Sequence, residues 1–184
     1  MVLFDATTLL LLLSPNVPPP RHPMTGEPIQ HAKERIDHLI TQLENEKTKI
    51  LIPTPVLSEI LVRAGKAGPE YLAKLSTSAA FRIVPFDIRA AVEVAAMTQK
   101  AIERGDKRGG SVEPWAKIKY DRQIVAIGKV ERVTTIYSDD RHVRTLAAEA
   151  SIAVIGIEEL PLPAESAQGT LPLSVPETPE IPED

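Results

Sequence analysis

Five short apolar runs, "VLFD", "KILIP", "FRIVP", "VTTIY" and "IAVIGI", punctuate residues 1–157, and the stretches between them carry helical spacing or helix-start signals. Short runs rich in β-branched residues and bounded by cap or turn residues read as buried strands. Strands that alternate with helices pair in parallel, with helices on both faces of the sheet. The predicted fold class is therefore α/β, a three-layer arrangement around a central parallel sheet.

The intervening segments fit that plan. A leucine-rich helix follows "VLFD" to about Leu13, and "SPNVPPPRHPMTGEP" then places so many prolines between 14 and 28 that only a loop is compatible. Ile29, Ala32, Ile36, Leu39, Ile40 and Leu43 recur at helical spacing and predict an amphipathic helix from Ile29. Thr54 followed by Pro55 predicts a hydroxyl-capped helix ending at Gly65. "PEYLAKLSTS" predicts a short helix, Asp87 caps one running to Gly105, and "GDKRGGSVEP" is a flexible basic loop. Two more helices are expected, from about Pro114 to Arg132 and from "SDDRHV" through Ala150. Residues 1–157 form one domain, and residues 158–184 form an acidic tail. With six prolines from Pro161 onward, the tail lacks the apolar area to offset its ordering entropy and is expected to be disordered or bound as an extended strand.

The chain's formal charge is −4, but seven acids and no Lys or Arg lie from Glu158 onward, so residues 1–157 hold 18 acids against 21 basic residues. Residues 99–132 concentrate nine Lys/Arg against five acids, which suits a phosphate backbone as partner. Lys107, Arg108 and Lys119 are candidate contacts to it. A solvated helix face has the same composition. With no cysteine and four histidines, disulfides, thiolate metal sites and thiol catalysis are excluded. The N-terminal leucine run has no preceding basic residue and is too short to span a bilayer, so we expect no membrane span and a cytoplasmic protein.

The acids carry the chemistry. In an open parallel sheet, ligands collect at the carboxyl ends of the strands where strand order reverses. Asp5 closes the first strand; Asp139 and Asp140 close the fourth. Asp121 shares an inward helical stripe with Ile118, Ile124, Val125 and Gly128, where an ionised carboxylate is costly unless paired or metal-bound. Glu59 sits on the helix after the second strand. Asp5, Glu59, Asp121 and Asp140, supplemented by Asp139, would make an all-oxygen site suited to Mg²⁺ or Mn²⁺. Such an ion activates water and neutralises charge on a phosphodiester. Each acid also has a structural explanation: Asp5 and Asp139 or Asp140 as helix caps, Glu59 as an exposed helix acid, Asp121 paired with Lys117 or Arg122.

In order and approximate spacing, "VLFDAT", "PTPVLSEIL", "YDRQIVAIG" and "IYSDDRHV" resemble the PIN-domain nucleases, especially the VapC-type toxin ribonucleases, over roughly residues 1–157. The resemblance implies strand order 3-2-1-4-5, a Mg²⁺ or Mn²⁺ site and endonucleolytic cleavage of RNA leaving a 5′-phosphate. It implies catalytic roles for Asp5, Glu59, Asp121 and Asp140, metal ligation by Asp5, Asp121, Asp140 and Asp139, and substrate contacts from Thr7 and Ser138. It also implies an antitoxin partner and a homodimer. The proline-rich loop and the acidic tail depart from the family's compact pattern. A phosphoaspartate phosphatase would need a second Asp where Thr7 stands, and "GDKRGG" fits no phosphate-binding glycine motif. The remaining alternative is a PIN-like scaffold that binds RNA or protein without cleavage.

Overall fold

The structure is a computed structural model that describes residues 1–163 apart from 15 and 23. Its strands are β1 (Val2–Phe4), β2 (Ile50–Pro53), β3 (Phe81–Val84), β4 (Thr135–Tyr137) and β5 (Ala153–Ile155). They form one parallel sheet in the order β3-β2-β1-β4-β5. The helices are α1 (Ala6–Leu13), α2 (Ala32–Asn45), α3 (Thr54–Ala64), α4 (Gly68–Thr77), α5 (Ile88–Glu103), α6 (Trp115–Val130) and α7 (Arg141–Glu149). The expected fold class and strand order are both observed.

Central strands lie against helices on both faces, so they are apolar on both. Every residue of β1 and β2 is buried, whereas the edge strands β3 and β5 are only partly so. Gly128 lets α6 approach the sheet: a Cβ there would stand 3.2 Å from Val133 Cγ2 and 3.5 Å from Leu3 Cδ1.

Two local expectations need correction. Helix α2 begins at Ala32, not Ile29, because His31 is left-handed (φ 56°) and Ile29 donates its N–H to Pro20 O at 2.9 Å within the proline loop. Ile29 remains in the core. Thr54 is already helical, and its hydroxyl accepts from Phe86 N–H at 3.0 Å, tying the end of β3 to α3 instead of capping.

Packing also continues beyond residue 157, where the tail was expected to begin. Residues Ile157–Glu159 form a 3₁₀ turn, Leu160 is buried, and Arg35 of α2 donates to the carbonyls of Glu158 and Leu160. The expectation of a disordered tail falls mainly on residues 164–184, outside the described residues. Among the described residues, no helix is long and apolar enough to cross a membrane.

Candidate active site

Sheet order reverses about β1, which pairs with β2 on one side and β4 on the other, with Phe4 opposite Tyr137. The next residues of both strands therefore emerge side by side. Asp5 N–H donates to Tyr137 O at 3.2 Å, and the buried Thr8 hydroxyl donates to the same oxygen at 3.0 Å. Asp5 caps α1, accepting Thr8 N–H at 2.8 Å; Asp140 caps α7, accepting the N–H groups of His142 and Val143 at 2.7 and 3.1 Å. Two helix N-termini thus converge on one rim, where their dipoles favour negative charge.

A cavity of about 490 Å³ opens there, and Asp5, Glu59, Asp121, Asp139 and Asp140 all line it. Asp5 is buried; desolvation raises its pKa to about 6, against opposing effects of the Ser138 hydroxyl and the Thr8 N–H. Asp121 is buried on the inner stripe of α6, and its Oδ2 meets Lys117 Nζ at 3.0 Å and His142 Nδ1 at 2.8 Å. Lys117 also contacts Asp140 Oδ2. Burial alone would raise Asp140, but the Lys117 ammonium and the capping N–H groups outweigh it and hold this carboxyl below its ordinary range. Asp139 Oδ1 accepts Ile157 N–H at 2.8 Å, while its buried Oδ2 has no partner among the described residues. Glu59 stands half-exposed at the rim, 3.2 Å from Arg63.

The structural explanations and the clustered arrangement therefore hold together: the same carboxylates that cap helices and pair with cations also face one cavity. Among the described residues, no three His, Asp or Glu side chains form a ready-made cage for an ion. The Lys117 ammonium bridges Asp121 and Asp140 instead. The donor chemistry nevertheless fits a hard divalent cation, since the ligands are carboxylate oxygens, a cation already stands between two of them, and Asp139 Oδ2 is left unpartnered. Asp5, Asp121 and Asp140, with Asp139 beside them, are the residues that could hold it.

The expected substrate contacts divide. Thr7 lines the cavity. Ser138 does not face it: this residue is fully buried, and its Oγ accepts Asp140 N–H at 3.1 Å, bracing the turn. Lys107, Arg108 and Lys119 also lie outside its walls. Lys107 turns back over the Trp115 ring at 4.3 Å, Arg108 reaches Glu113 O, and Lys119 is two residues from Asp121, on another face of α6. The cations that line the cavity are Lys117, Arg21 and Arg63.

Three further residues acquire roles only in three dimensions. Tyr120 presents a half-exposed ring at the cavity. His142, buried, orients Asp121, yet its place two residues after Asp140 offers no sequence signal. Arg122, also buried, donates to Thr98 Oγ1 at 3.1 Å and Lys107 O at 2.6 Å, pinning the glycine loop against α5 and α6. The i,i+4 spacing of Lys117 and Asp121 does show in the sequence.

A parallel 3-2-1-4-5 sheet with carboxylates gathered at its carboxyl rim defines a PIN-like α/β domain. Among the solved structures that share the fold are two VapBC complexes. One is the crystal structure of VapBC2 from Rickettsia felis bound to a DNA fragment from their promoter, with TM-score 0.54 and 12% identity over 85% of this chain and 98% of that one. The other is DNA-bound VapBC from Salmonella typhimurium, with TM-score 0.51 and 14% identity over 85% and 97%. At these identities the likeness establishes the fold. No protein-family model matches the sequence, and no curated protein matches it.

Proposed function

We propose that this protein is a Mg²⁺- or Mn²⁺-dependent endoribonuclease of the VapC type, a cytoplasmic, homodimeric toxin restrained by an antitoxin. The observation that carries this reading is the convergence of five carboxylates and three cationic side chains on one cavity at the carboxyl rim. The fold shared with the two VapBC complexes supports the same assignment. When bound among Asp5, Asp121, Asp140 and Asp139, the metal supplies a more nucleophilic water and charge neutralisation at the phosphodiester. Arg21 and Arg63 receive backbone phosphates, and the exposed face of Tyr120 stacks an unpaired base, the usual mode of single-stranded RNA recognition. His142 holds Asp121 in orientation. An antitoxin would cover this rim and present a cation to the carboxylates.

The test is a panel of structured and linear RNAs incubated with Mg²⁺ or Mn²⁺, using wild type beside Asp5→Asn and Asp121→Asn. Both variants are expected to lose about 100-fold or more of the cutting rate while still unfolding cooperatively. Undiminished cutting by either variant removes the site. One observation favours a second reading, a non-cleaving RNA- or protein-binding scaffold: Lys117 already neutralises Asp121 and Asp140, so the carboxylates are not held together unpaired. If RNA binds but Mn²⁺ neither supports cleavage nor raises the melting temperature, the scaffold reading prevails.

A further inference from the structure

Among the described residues, four groups hold Asp121 and Asp140, and they differ in how easily they can leave. His142 Nδ1 at Asp121 is a buried ring, and the N–H groups of His142 and Val143 at Asp140 belong to the first turn of α7. Lys117 is different. Its ammonium rides on a flexible four-carbon stem, and its side chain is 36% exposed at the cavity. It bridges carboxylates carried by two separate helices, α6 and α7, and it is the partner free to move.

We propose that Lys117 is a tethered competitor for the divalent cation: it closes the gap between Asp121 and Asp140 in the metal-free protein and transfers to a substrate phosphate when metal enters. This inference rests on the nuclease reading. Metal–carboxylate bonds of about 2.1 Å leave no room for an ammonium on the same oxygens, and like charges at that separation repel. The stem lets the ammonium find a new anion within the same cavity, whose rim already holds Arg21 and Arg63.

Two consequences follow from linkage. Metal alone binds weakly, because it must first evict the lysine. A phosphodiester that gives the lysine a new partner tightens metal binding, and metal tightens phosphodiester binding by the same factor. Lys117 is thus a positioning residue that couples the occupancy of metal and nucleic acid. Neither ligand need saturate the protein without the other.

The experiment is a Mn²⁺ titration of the full chain, followed by the electron paramagnetic resonance of free Mn²⁺, with and without a ten-nucleotide oligodeoxythymidylate. Wild type, Lys117→Met and Lys117→Gln are compared, and near-ultraviolet circular dichroism reports their packing. The expected result is that both variants bind Mn²⁺ about tenfold or more tightly than wild type without oligonucleotide, and that the oligonucleotide tightens Mn²⁺ binding by a larger factor in wild type than in either variant. The wild-type arm needs no substitution, so the coupling is readable even if a variant misfolds. Equal or weaker Mn²⁺ binding by folded variants, or no effect of the oligonucleotide on wild type, overturns the proposal and leaves the nuclease reading standing. Absence of Mn²⁺ binding in every sample with and without oligonucleotide overturns both.

Discussion

Asp5 is a carboxylate whose ionisation the fold opposes. Burial is the main cause, and Asp139 nearby adds to it, raising the pKa from 3.8 to about 6. In the unfolded chain this group loses its proton near pH 4; in the folded protein it keeps the proton until about pH 6. Within that window the native state binds more protons, so this residue's contribution to stability falls as pH rises. Above pH 6 the full cost is about 3 kcal/mol. Asp5→Asn removes the cost while keeping a good capping side chain. Its advantage over wild type should be near zero below pH 4 and grow to about 3 kcal/mol above pH 6, measured by urea unfolding at pH 4 and pH 7. A constant difference at the two pH values would mean that water reaches Asp5 freely.

The turns after β4 and β5 interlock through a single glycine. A Cβ at Gly156 would stand 2.8 Å from Asp139 Oδ1 and 3.3 Å from Glu159 Oε1, so glycine is what allows this carboxylate to reach Ile157 N–H. Gly156→Ala should destabilise by about 1–3 kcal/mol, as overpacking does. Gly68 gives the opposite sign: it opens α4 at φ −52°, and its Cβ would meet nothing nearer than Leu61 O at 3.5 Å. Gly68→Ala should stabilise by about 0.4–1 kcal/mol. Urea midpoints for the two variants check both signs. The contrast shows what a sequence carries at this scale. Apolar runs and Asp caps made the strands, α1, α5 and α7 legible, because those signals are local. The start of α2 was not legible, since the left-handed His31 depends on a loop bond from Ile29 to Pro20. Nor were the ammonium bridge of Lys117 and the close approach at Gly156, both of which join residues from separate elements. Ser138 illustrates the same limit: its hydroxyl fits a substrate contact by position in the chain, yet the turn folds it inward.

Across the whole molecule, residues 157–160 fasten the sheet's β5 side to α2. Ile157 and Leu160 are both at most 3% exposed, and Arg35 holds the carbonyls of Glu158 and Leu160. Relative to a chain ending after Pro163, one ending after Gly156 should lose about 3–6 kcal/mol of stability in urea unfolding, the loss of two buried aliphatic side chains. Because all the strands run the same way, Met1 stands at the rim opposite the carboxylates, where its carbonyl accepts Thr134 N–H at 3.1 Å. Glu158, by contrast, stands beside His22 of the proline loop, with which it pairs at 2.8 Å. A dye, affinity handle or surface linkage attached through Met1 therefore leaves the carboxylate rim clear, whereas one attached at Glu158 stands beside the proline loop, whose Pro20 and Arg21 line the cavity.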